Sequence, residues 1–228
     1  MAFRRTVTWV TLLCVILIGY GVRVLSLDGQ SMWRDEIDTM CFSLGFWEKL
    51  GQAAPSTLGG VLAGSPDGTS ERAPALYRPN CQPTPGLSRI DAAQGIWPTL
   101  RGLLTLEGWN GPLYTLVMRF WIALTGYSPF ALRYSSLLFG LLAIPLAFVM
   151  GRRLAGTAAS LATAALVALS PHMVWYSQEA KMYALVLFLS LLALYSFRRA
   201  LVSGSRWWVV VVSATTAAMY CHVLAALL

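Results

Sequence analysis

Five apolar runs constrain this chain more than any other feature: Val7 to Leu27, Tyr134 to Met150, Ala155 to Ser170, Met182 to Phe197, and Trp207 to the end. A helix needs roughly 20 mainly apolar residues to cross a bilayer, and each run comes close once flanking residues snorkel. Composition agrees. Of the 228 residues 57% are apolar and only 12% charged, against roughly 25% charged in a soluble domain. A chain this hydrophobic is not disordered, and four cysteines are too few for a disulfide-dense mini-protein. The expected fold class is an all-α polytopic membrane protein with about five transmembrane helices and a large extracytoplasmic first loop carrying interfacial helices.

A sixth stretch, Leu113 to Leu124, is about a dozen residues long and carries Arg119 in its middle. Counting it as a span reverses every later helix. Lys and Arg collect in cytoplasmic loops, and the two counts place them differently. If the stretch spans, Arg152 and Arg153 lie outside. If it lies flat on the outer surface as an interfacial helix over 113–125, Arg4/Arg5, Arg152/Arg153 and Arg198/Arg199/Arg206 become cytoplasmic together. The second reading is adopted. It divides the chain into a cytoplasmic N-terminus and first helix (1–27), an extracytoplasmic loop (28–133), and four further transmembrane helices (134–228) in a multi-pass protein of the cell membrane. Val7 to Leu27 also has the Arg4/Arg5 start of a signal peptide. Its length and the poor cleavage sequence Leu25-Ser26-Leu27 favour a retained anchor.

The charges are segregated. Seventeen basic against ten acidic residues give +7, yet nine of the ten acids fall between Asp28 and Glu107, and the tenth is Glu179. No basic run interleaved with aromatics offers a nucleic-acid surface, so no nucleic-acid partner is expected. Within the loop, residues 53–88 hold six prolines among many Gly and Ser, the mark of an irregular insertion. Cys41 and Cys81 both fall in the loop and read either as a disulfide or as two free thiols.

Four constellations carry chemistry. Ser31-Met32-Trp33-Arg34-Asp35-Glu36 sets two adjacent carboxylates beside a tryptophan and an arginine: a general base or hard-metal ligand with a sugar- or phosphate-binding face, or else an acidic turn that opens a surface helix. Asn110-Gly111-Pro112-Leu113-Tyr114 starts the flat helix, and Pro at a first helical position explains it structurally. The block from Ser170 to Tyr183 holds Gln178, Glu179 and Lys181 between two apolar helices, where polarity is expensive and marks a functional site. Its alternative is an aromatic belt stitched by a Glu179 and Lys181 pair, which requires non-helical backbone because residues two apart do not face each other on a helix. His222 stands in the fifth run, roughly 22 Å beyond Trp207 at about 1.5 Å per residue. It reads either as a bundle-stabilising donor or as a site residue. The topology puts all four constellations on or near one outer face.

In this order Trp33-x-Asp35-Glu36, Asn110-Gly111-Pro112-Leu113-Tyr114, Arg133, Gly151-Arg152-Arg153-Leu154, the block Trp175 to Tyr183 and Tyr220-Cys221-His222 resemble the N-terminal part of bacterial and archaeal membrane glycosyltransferases of the dolichyl-phosphate-mannose protein mannosyltransferase type, in the C superfamily of glycosyltransferases. The family's usual sequence before the flat helix is closer to His-Pro-Pro-Leu-Tyr, and Lys181 stands where an arginine is common. The resemblance implies an inverting transferase that moves a sugar from a polyprenyl-phosphate donor in the membrane lipid to a protein, glycan or lipid acceptor on the extracytoplasmic side. It implies Asp35 and Glu36 as the catalytic carboxylates, Asp35 foremost. Arg34, Asn110, Tyr114, Arg133, Gln178, Glu179, Lys181, Tyr183 and His222 become candidates for substrate or phosphate binding, and Asp35 and Glu179 for holding a divalent cation, Mg or Mn. Family members have about twice as many spans, so the chain is read as an N-terminal portion. The competing class is a non-catalytic membrane protein, a transporter subunit or scaffold. It expects Gly- or Pro-interrupted helices and polar groups at mid-membrane, whereas here polarity gathers at one face.

Overall fold

A computed structural model describes residues 2–25, 27–44, 96–97, 99–100, 111–204 and 206–227, and among these the chain is helical without strands. Seven α-helices follow in order: α1 (Ala2–Val24), α2 (Arg34–Leu44), α3 (Pro112–Thr125), α4 (Pro129–Leu169), α5 (Pro171–Ser177), α6 (Tyr183–Ser203) and α7 (Arg206–Cys221), then a 3₁₀ turn over Val223–Leu227. By length and apolarity α1, α4 and α6 qualify to cross a membrane.

The 41-residue α4 is two limbs, because Ala155 leaves the helical region and Gly156 takes φ +83°, a conformation open to glycine. Residues 129–154 and 157–169 fold back on each other. A Cβ on Gly151 would lie 2.9 Å from Ser160 Cα, and Ile144 and Phe148 pack with Ala164, Ala168 and Leu12 of α1. The five apolar runs therefore appear as α1, the two limbs, α6 and α7. Alanines and glycines at the contacts let the helices approach closely, as membrane packing favours.

Side-chain contacts give the bundle two unlike ends. Arg4 and Arg5 of α1 share a cavity with Arg152, Arg198 donates to the Arg153 carbonyl (2.6 Å), and the Arg199 guanidinium lies over the Trp207 ring. The fold thus brings all three arginine groups to one end. At the other end α3 lays Tyr114, Met118 and Ile122 onto Met40, Cys41 and Leu44 of α2, with Leu132, Met182, Leu185 and Cys221 completing the core. Each such buried aliphatic side chain contributes about 1.5–3 kcal/mol relative to an exposed one in water. Phe120 and Leu124 on the far side of α3 are exposed, as expected of a helix lying in an interface. Arg119 points instead to α2, donating to the Ser43 carbonyl (3.0 Å) in its last turn and to Thr99 Oγ1 (3.1 Å), where a cation complements the carbonyl end of a helix. Cys41 is disulfide-bonded, Cys14 and Cys221 are free thiols, and Cys81 lies outside the described residues, as does the insertion at 53–88.

Candidate functional site

The site begins with a helix start. Trp33 precedes α2, Glu36 is the third residue of that helix, and its Oε2 reaches back to the Trp33 N–H (3.4 Å), the returning half of a capping box. This turns Glu36 inward, where it is fully buried. Arg133 of α4 meets it with two prongs, Nε to Oε1 at 2.9 Å and Nη2 to Oε2 at 2.7 Å. The Ala180 N–H also donates to Oε1 (2.8 Å). The remaining N–H groups of Arg133 reach the carbonyls of Leu27 and Gln30 at 2.9 Å and Ser31 at 3.2 Å. With five donors on a guanidinium, Arg133 is fully engaged and presents none to a ligand. Glu36 accepts four bonds and is likewise saturated.

This pair fastens three segments together: the approach to α2, the start of α4 and the 178–182 loop. The loop has two further fixings. Gln178 Nε2 donates to the Arg23 carbonyl (3.0 Å). The Tyr114 hydroxyl bonds Ser136 Oγ (3.0 Å), which donates to the Lys181 carbonyl (3.0 Å). Burial pushes the Tyr114 phenol up, so it stays a neutral hydroxyl in the core.

Asp35 and Glu36 are neighbours with opposite surroundings. The Asp35 side chain is 45% exposed, and its Oδ2 lies 4.0 Å from Nζ of the buried Lys181. The loop backbone is non-helical, as a Glu179 and Lys181 pair would require, yet Lys181 turns to Asp35 and Glu179 lines a separate cavity. That cavity has a volume of about 510 Å³ and is walled by Trp33, Trp175, Tyr176 and Tyr183, with Gln178 and Glu179 facing in and the Glu36–Arg133 pair at its back. The rings of Tyr176 and Tyr183 stand 4.8 Å apart. Burial raises the Glu179 carboxyl above the usual range and the Glu36 charge adds to this, while a Trp175 hydrogen bond, Lys181 and Arg133 oppose it. Aromatic walls with a few polar groups in a volume of this size are the ordinary make-up of a small-molecule site.

Tyr183 also lines an apolar groove of about 340 Å³ with Val186, Ser190, His222 and Leu224. His222 Nδ1 accepts from the Leu224 N–H (3.1 Å), fixing its ring at the turn after α7.

Of the residues singled out in sequence, Glu36, Arg133, Gln178, Glu179 and Tyr183 converge on the cavity, and Asp35 with Lys181 stands beside it rather than in its wall. Tyr114 faces the core. Asn110 and the Arg34 side chain lie outside the described residues. Sequence reasoning missed Gln30, and it marked the segments holding Ser31, Trp175 and Tyr176 without giving these three a binding role. The two aromatics sat within the block already marked, where their partly exposed rings were readable as a membrane belt. Among the described residues no three His, Cys, Asp or Glu side chains gather as a metal-holding group.

Residues 110–228 match a family model described as dolichyl-phosphate-mannose-protein mannosyltransferase. The match takes in Arg133, the 178–181 segment and His222, and leaves Asp35 and Glu36 outside it. No curated protein and no solved structure matches the chain.

Proposed function

The chain belongs to the dolichyl-phosphate-mannose-protein mannosyltransferase family, and from that premise we propose that it transfers a sugar from a polyprenyl-phosphate donor to an acceptor hydroxyl on the extracytoplasmic side, with inversion at the anomeric carbon. The observation that carries this reading is the division of labour between two adjacent carboxylates. Glu36 is saturated and buried, while Asp35 is held beside it, partly open, next to a cation. A carboxylate locked by its neighbour's contacts has the preorganisation that a general base needs.

In the proposed reaction Asp35 takes the proton of the acceptor hydroxyl as the oxygen attacks the anomeric carbon. A new C–O bond forms on one face of the sugar. The bond to the donor phosphate breaks on the other, and its electron pair leaves on the polyprenyl phosphate. Lys181, 4.0 Å from Asp35, orients that carboxylate on the acceptor face. The aromatic walls of the cavity, Trp33 and Trp175 above all, offer faces to a sugar ring, and the groove shared through Tyr183 offers an apolar path to the prenyl chain. Arg133 and Glu36 act as positioning residues. A divalent cation fits this donor set poorly. Of the two carboxylates named for it, Asp35 faces Lys181 and Glu179 lines the separate cavity with burial favouring its neutral form, so they do not make a paired anionic donor set for such an ion.

The arginine-rich end opposite supports an extracytoplasmic site, and so does the disulfide at Cys41, a bond that persists in oxidising compartments. The test is transfer of label from a radiolabelled polyprenyl-phosphate hexose in membranes containing the chain, with the anomer of the product assigned by NMR. Label above that of membranes lacking the chain, in the inverted anomer, is expected. No label, or retained configuration, overturns the reading.

A further inference from the structure

At the end away from the site, a cavity of about 220 Å³ lies between α1 and the turn of α4, bounded by Arg4, Arg5, Thr8, Trp9, Arg152 and Thr157. Its cations differ from the other arginines nearby. Arg153 lies over the Tyr195 ring at 5.8 Å and Arg199 over the Trp207 ring at 5.0 Å, and Arg198 is bonded to the Arg153 carbonyl. The guanidinium groups of Arg4, Arg5 and Arg152 have no hydrogen bond, ion pair or ring partner among the described residues. The helices that form this end carry no counter-charge: residues 1–27, 134–178 and 180–228 contain neither Asp nor Glu.

We infer that this cavity binds the phosphate of an anionic phospholipid in the leaflet at that end. Three arginines lining one small space suit a phosphate, which arginine engages bidentately, and basic pockets between transmembrane helices hold acidic headgroups. The source is a lipid rather than a free anion because of what adjoins the cavity. Arg5, Trp9, Leu13 and Leu17 repeat every four residues and so share one row of α1. Trp9, Leu13 and Leu17 are 47%, 55% and 58% exposed. A charge at the membrane boundary, an indole at headgroup depth and an apolar strip running inward complement a phospholipid from phosphate to acyl chain.

The test is native mass spectrometry of the full chain in detergent, titrated with phosphatidylglycerol and with phosphatidylcholine, for the wild type, Arg5→Gln/Arg152→Gln and Arg198→Gln/Arg199→Gln. Five basic residues remain at that end in either double variant, which keeps the orientation signal. Phosphatidylglycerol should bind the wild type on the order of a hundredfold more tightly than phosphatidylcholine, and the Arg5/Arg152 variant should lose about fivefold per arginine removed, leaving a preference of about fivefold. The Arg198/Arg199 variant should keep the preference, as should the wild type in millimolar inorganic phosphate. Arg5→Lys/Arg152→Lys, which preserves charge and fold, should give an intermediate loss. Equal retention of the two lipids, an undiminished preference in the Arg5/Arg152 variant, or release by inorganic phosphate would overturn the inference. None of these readouts depends on sugar transfer.

Discussion

Arg133 and Glu36, 97 positions apart in the chain, meet through two parallel hydrogen bonds of 2.9 and 2.7 Å in an ion pair closed to solvent. Burying two charges costs much solvation, and the pair holds only because every other donor and acceptor on it is also matched. Removing one partner strands the other, at about 3–5 kcal/mol. Glu36→Gln and Arg133→Met should each destabilise the protein by that order. The double variant should lose less than the sum, since its second change removes a charge already stranded. Thermal unfolding in detergent reads all three, and full additivity would show that the two side chains act independently.

The helical class and the gathering of polar segments at one end were legible in the sequence because apolar run length and arginine placement follow from the bilayer itself. The rank order within Trp33-Arg34-Asp35-Glu36 was less so. The tetrad alone does not say which carboxylate is buried, since apart from the Trp33 N–H the groups that hold Glu36 inside, Arg133 and the Ala180 N–H, lie 97 and 144 residues away. Arg133 was legible as a cation before a helix, but its engagement by three carbonyls of the 27–31 segment was not. Long-range saturation of this kind leaves no local pattern, which is why Arg133 reads as a phosphate binder in sequence and as a clamp in structure.

Asp35→Asn should abolish transfer while leaving the fold intact. The side chain is partly exposed, but the cation 4.0 Å from it is the buried Lys181, which loses its charge partner, so stability should fall by about 1–3 kcal/mol while the fold still forms. Labelled-donor assays paired with thermal unfolding separate the two effects. Wild-type turnover in the variant would remove Asp35 from the mechanism.

Gly111 marks where α3 meets the end of α7. Its N–H donates to the Cys221 carbonyl (3.1 Å), and a Cβ there would run into the backbone carbonyl of Tyr220. The φ of −72° suits any residue, so the requirement for glycine is one of space. Gly111→Ala should push the two helices apart at an overpacking cost of about 1–3 kcal/mol. Cys221, now buried and unbonded, should then alkylate faster. Mass spectrometry of maleimide-treated protein follows that thiol, and an unchanged rate would mean that the interface absorbs the extra carbon.

Glu179 gives the site a pH signature. Its folded carboxyl titrates above the ordinary value, first through burial and then through the Glu36 charge. The folded chain therefore binds this proton more tightly than the unfolded chain does. Linkage then sets the sign: the stability contributed by protonated Glu179 is fully present below the ordinary carboxylate range and is lost as pH rises through the raised value. Glu179→Gln carries no such proton. Subtracting its melting temperature from that of the wild type cancels the other carboxylates, and the difference should fall as pH climbs from the ordinary carboxylate range through the raised value, then level off. A difference that rises with pH would mean that the charged form of Glu179 is favoured by its surroundings, with Lys181 and Arg133 outweighing burial in the cavity wall.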